Sequence, residues 1–163
     1  MQEMKRKILS FVFSAMALLT PAGAVADEAS DEAVGKSIRQ EFGILRGNYF
    51  VRGRRVSDQI MMGLGIPNPE RKISDGNFLL SGCRRHDCPE KSAVIVTPTD
   101  AMLAASMIYF PCSMEKAAPD CFKTPHLRIF MKKKNDRPAF VQELQDWAAR
   151  EGYKGAAETE ILH

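Results

Sequence analysis

Residues 83–88 read Cys83, Arg84, Arg85, His86, Asp87 and Cys88, the tightest grouping of potentially reactive side chains in the 163-residue chain. Thiols and an imidazole this close admit three chemistries. A metal could bind cysteine and histidine, but the spacing is not that of a zinc ribbon. A catalytic Cys–His pair needs a free thiol, and an even count of four cysteines leaves no obvious spare. Bonded to each other, Cys83 and Cys88 would close a six-residue ring around four polar side chains. We expect the ring, with no catalytic residue, no cofactor and no metal. In its plainest form such a ring is a pinned hairpin loop whose charges are simply solvated.

The other two cysteines, Cys112 and Cys121, flank a proline-containing excursion. Four cysteines allow three connectivities, which sequence does not decide; the sequential one is expected. Closing loops this short contributes only about 2–3 kcal/mol each by chain entropy. The value of the first ring would lie elsewhere, in restricting Arg84, Arg85, His86 and Asp87 before they meet a partner. Of the other histidines, His126 follows Pro125 beside an expected strand and His163 is the terminal residue.

The amino end carries an address. Lys5-Arg6-Lys7, an apolar run over residues 8–19 and Ala24-Val25-Ala26 before Asp27 have the basic, apolar and small-residue parts of a secretory signal. The apolar run is too short to span ~30 Å of hydrocarbon comfortably. Cleavage is expected after Ala26, giving a periplasmic or secreted chain of residues 27–163, one domain, with no membrane association after signal cleavage. An oxidising compartment also suits paired cysteines. The chain has a formal charge of +3; residues 1–26 hold a surplus of two positive charges, so the remainder is nearly neutral. That balance argues against nucleic acid as a partner. At 45% hydrophobic and 26% charged, the composition excludes a disordered or fibrous chain.

The elements that must position the ring follow from periodicity. Val34, Ile38 and Phe42 recur at helical spacing, with Ser30 or Asp31 as N-cap and Gly43 as stop. Residues 48–51 can be extended, and Ser57 can cap a helical turn through Met62 before Gly63, Gly65, Pro67 and Pro69 intervene. Apolar, β-favouring runs over residues 78–80, 93–96 and 102–110 read as a three-stranded antiparallel meander, and residues 127–131 as a fourth strand. Asn135 or Asp136 can cap a last helix with Pro138 in its first turn. Its stripe of Phe140, Leu144, Trp147 and Ala148, ended by Gly152, covers one sheet face. The fold class is α+β: an antiparallel sheet packed by an amphipathic C-terminal helix and an N-terminal helix, with a disulfide-closed hairpin loop.

The segment Ser81-Gly82-Cys83-Arg84-Arg85-His86-Asp87-Cys88, followed by a strand near Ala93, resembles the C-x-x-H-D-C loop of the Ivy family, inhibitors of vertebrate lysozyme. The resemblance spans roughly residues 77–150 and is specific at the ring. Arg85 stands where many members have proline or a small residue, and the Cys112/Cys121 pair is outside the signature. The resemblance implies an exported α+β protein whose loop enters the active-site cleft of c-type lysozyme. It makes His86 the main contact, supported by Asp87; the rigid donor forks of Arg84 and Arg85 suit contact with the acidic cleft or carbonyls near it. The chemistry is self-consistent. Lysozyme works with two carboxyl groups facing each other across the sugar-binding gap, and an imidazole can hydrogen-bond to both at once. Inhibition by occlusion needs no reaction, so the chain is not expected to be an enzyme. Its near-neutral charge offers no long-range attraction to a strongly basic lysozyme, which implies a modest association rate. The alternative is an exported small-ligand or envelope-binding module with the same fold and no inhibitory activity. A homodimer stays open.

Overall fold

The computed structural model describes residues 25–113, 120–135 and 137–162. The expected signal sequence thus lies outside the described residues, apart from its last two. The first helix, α1 (Val25–Phe42), buries Val34, Ile38 and Phe42. It starts ahead of Ser30 and Asp31, so neither is its N-cap. Val25, Ala26, Glu28 and Ala29 carry no helix breaker, and the helix propagates through them. Gly43 ends it at φ +50°, donating its N–H to the Arg39 carbonyl at 3.0 Å.

Residues 48–51 are not a strand. They form part of a bent loop between the two-residue strands β1 (Arg46–Gly47) and β2 (Arg54–Arg55), wrapped around Gln59 of α2 (Val56–Gly63). Gln59 is fully buried. Its Oε1 accepts from the backbone N–H groups of Tyr49, Phe50 and Val51 at 3.2, 2.7 and 3.0 Å. Its Nε2 donates to the carbonyls of Gly47 and Arg54, each at 3.0 Å. One amide therefore satisfies backbone groups that would otherwise compete for an extended ladder. Ser57 lies buried inside α2 and does not cap it; Arg55 takes the cap position without a side-chain bond.

The main sheet has strands β3 (Ile66–Pro67), β4 (Arg71–Lys72), β5 (Phe78–Arg84), β6 (Asp87–Val96), β7 (Met102–Tyr109), β8 (His126–Lys132) and β9 (Ala157–Leu162). Their order is β3-β5-β6-β7-β8-β9, with β4 also paired to β5. Strands β5 to β8 form an antiparallel meander. The β8–β9 pair is parallel, a departure from the all-antiparallel expectation. Parallel neighbours require a crossover, and α3 (Pro138–Arg150) supplies it. The polar segment of β9 is held partly by charge, Arg128 of β8 meeting Glu158 at 2.6 Å.

Both sheet faces are buried, which is why β7 and residues 93–96 of β6 read as nearly unbroken apolar runs. Val94, Val96, Met107 and Phe130 join Val34, Ile38 and Phe42 of α1 and Val56 and Ile60 of α2 in one cluster. Ala93, Ile95, Ile108, Leu127 and Ile129 join Phe140, Leu144, Trp147 and Ala148 of α3 in another. The α3 stripe alone is worth on the order of 6–10 kcal/mol of gross burial. The N-cap of α3 is Arg137, without a side-chain bond, rather than Asn135; Asp136 lies outside the described residues. Gly152, at φ +89°, follows its end.

Candidate functional site

Strands β5 and β6 are joined by a tight corner. Arg84 faces Asp87 across the ladder, so Arg85 and His86 alone make the turn. The next pair is Cys83 with Lys91, which leaves Cys88, Pro89 and Glu90 unmatched on β6. Such a bulge bends the strand, and Pro89, lacking an N–H, suits an unpaired position. The hairpin beyond it is a narrow finger. Cys83 and Cys88 are disulfide-bonded across its base, and the second disulfide joins Cys112 to Cys121. All four sulfurs are thus in disulfides, which removes thiolate ligands and a thiol nucleophile from the finger. Among the described residues no group of three or more His, Cys, Asp or Glu converges on a metal position.

The disulfide ties the finger to the core, because Cys83 is buried while Cys88 is exposed. Gly82 helps from behind. A Cβ there would come within 2.6 Å of the Ile66 carbonyl, so glycine permits β3 to lie close against the finger base.

The four side chains of the corner divide into two sets. Arg84 turns inward. Its guanidinium pairs closely with Glu90, lies 3.7 Å from the Asp87 carboxylate and donates to the Phe50 carbonyl at 3.5 Å. Glu90 is only 5% exposed. Burial pushes its carboxyl above the usual range, partly offset by the hydrogen bond and charge of Arg84. Arg84 thereby braces the finger from inside, linking the bulge, the corner and the loop that Gln59 organises. Arg85 and His86 are exposed. Arg85 donates through Nε to the Gly65 carbonyl at 3.2 Å. Beside it runs a groove of about 630 Å³ whose lining includes Asp31, Met61, Pro67, Glu70 and Leu80.

His86 occupies the corner itself, at φ +65°. A left-handed backbone costs an L residue about 1–2 kcal/mol, and glycine would carry none of it. The imidazole therefore stands at the tip of a hairpin, in solvent, on a conformation that favours another residue.

The chain brings Arg84, Arg85, His86 and Asp87 together as the sequence proposed, but Arg84 faces its own protein. Glu90 was missed. Among Asp87, Pro89, Lys91 and Ser92, nothing in the local pattern marks Glu90 as the buried one; its burial follows from the bulge. His126 begins β8 at the same end of the sheet, its ring 5.6 Å from that of Tyr109, and His163 is outside the described residues. Among the described residues no helix is long and apolar enough to cross a membrane. Comparison with protein-family models, with curated proteins and with solved structures returns no match to this chain.

Proposed function

We propose that the protein is an exported inhibitor of c-type lysozyme that inserts the Cys83–Cys88 finger into the active-site cleft. The observation that carries this reading is the exposed His86 imidazole on a strained two-residue corner, held by a disulfide on one side and by Arg84 on the other. Positive-φ residues other than glycine persist where the surroundings force them, and they concentrate at binding and catalytic sites. A finger ordered in advance loses little conformational entropy on entering a cleft.

In this mechanism the two ring nitrogens of His86 bridge the catalytic carboxyl groups, one protonated and one ionised, and the gap that receives the sugar is filled. Arg85 reaches the cleft rim beside it. Arg84 acts at one remove, fixing Asp87 and the bulge so that the imidazole is presented in one orientation. Export, and residence in the periplasm or outside the cell, are part of the same proposal; the two disulfides support them.

The test uses the disulfide-bonded chain, from an oxidising host, against hen-type lysozyme acting on peptidoglycan. The parent is expected to block lysis. His86→Ala should weaken inhibition by about 2 kcal/mol or more, roughly 30-fold, and the Cys83→Ser/Cys88→Ser variant should also lose potency. Equal potency of parent and His86→Ala overturns the finger mechanism. A parent that does not bind lysozyme at micromolar concentration overturns the function itself and favours a small-ligand module, for which the groove beside Arg85 is the site to probe.

A further inference from the structure

The finger leaves the sheet from one end, and a second feature leaves from the same end. Cys83 pairs with Lys91, Lys91 with Ile108, and Tyr109 with His126. The connection from β7 to β8 therefore starts and returns beside the finger base, about 10 Å away at two strand spacings. Its two stems are tied by the Cys112–Cys121 disulfide, with the Cα atoms 5.2 Å apart. Phe122 follows Cys121 in a short 3-10 turn, 69% exposed, with its ring centroid 6.2 Å from that of Phe110. On the far side of the finger, Ile66 pairs with Cys83 and is 48% exposed. The described residues expose three large apolar side chains, Ile44, Ile66 and Phe122; Ile66 sits against the finger base, and Phe122 lies on the connection that leaves the same end of the sheet.

We infer that Phe122, backed by Phe110, is a second anchor on the same lysozyme that receives the finger. The inference rests on the function proposed above. Its argument is one of area and position. A specific protein–protein interface buries about 800 Å² on each partner and engages roughly 20–30 residues, which four residues of a corner do not supply. A round patch of about 800 Å² is about 32 Å wide, so a partner seated on the finger has the reach to cover a stem whose ends lie about 10 Å from the finger base. An aromatic ring held by a disulfide-tied stem gives up little freedom when covered, and aromatic side chains are the commonest anchors of such interfaces. His86 supplies specificity for paired acids; Phe122 supplies apolar contact beside the cleft.

The experiment measures binding of the full disulfide-bonded chain to immobilised hen-type lysozyme for the parent, Phe122→Ala, Phe122→Leu and His86→Ala. Phe122→Ala should bind about 10-fold more weakly, chiefly through faster dissociation, with Phe122→Leu between it and the parent. Because Phe122 is exposed, both variants should melt with the parent, which separates lost contact from lost fold. Binding by Phe122→Ala within twofold of the parent, while His86→Ala loses about 30-fold, overturns the second anchor and leaves the finger standing. A parent that does not bind takes both down. Sedimentation of the chain alone is the last arm: a parent dimer that Phe122→Ala dissolves, with lysozyme affinity unchanged, assigns the ring to a second copy and overturns the inference.

Discussion

Replacing His86 with glycine should make the fold more stable while removing the proposed inhibition of lysozyme. The left-handed backbone of His86 costs about 1–2 kcal/mol for a residue with a Cβ, and glycine releases that strain. Glycine also gives the unfolded chain more freedom, which takes back about 0.5–1 kcal/mol. At the middle of these ranges the net gain is about 0.75 kcal/mol, or a rise of about 2–3 °C in Tm for a domain of this size. No packing term intervenes, because the side chain is exposed. Inhibition of lysozyme should meanwhile fall at least as far as in His86→Ala. His86→Asn is the control, since asparagine tolerates this backbone region but lacks the imidazole; it should melt with the parent and inhibit like the glycine variant. Calorimetric melts and peptidoglycan-lysis assays on the same preparations decide the matter. A glycine variant that melts below the parent refutes the strain, and one that inhibits as well as the parent refutes the role of the imidazole.

Gln59→Leu keeps the side-chain size but abandons five backbone hydrogen bonds, including that of the buried Phe50 N–H. It should cost at least ~3 kcal/mol in urea unfolding; a loss below ~1 kcal/mol would show that the loop finds other partners. Tyr49 titrates at about 12 instead of 10.0, pushed up mainly by burial and then by the charge of Glu160. The unfolded chain releases this proton first, so stability is unaffected below pH 10 and is lost as pH rises from 10 to about 12. Urea midpoints at pH 8 and pH 11 should therefore fall further apart in the parent than in Tyr49→Phe, and equal falls would contradict the assignment.

What could be read from sequence was what is written in short-range patterns. The i, i+4, i+7, i+8 stripe of α3 and the apolar runs of β6 and β7 signal elements whose faces are buried, and the cysteines bracket the finger directly. The features that escaped depend on distant partners. Residues 157–162 show no apolar alternation, and they become β9 because α3 returns the chain beside β8 and Arg128 receives Glu158. The clamp of Gln59 on residues 47–54 has no periodicity to betray it. Arg84 and Arg85 are chemically identical neighbours, yet the bulge at residues 88–90 places Glu90 beneath only the first. Phe122 sits in a polar excursion where a lone aromatic residue carries no pattern, and only the strand order brings both ends of that excursion to the finger's end of the sheet.

The sheet's outer strands protect it from fibrous assembly. At one rim, β3 is two residues long and includes Pro67, which cannot donate to an incoming strand. At the other, in-register stacking of a second chain on β9 would lay Glu158 on Glu158 and Glu160 on Glu160, like charges directly opposed. A core of nearly continuous valine, isoleucine, alanine and methionine strands is thus kept from templating its own copies, in the folded chain and in any partly opened form that bares those rims.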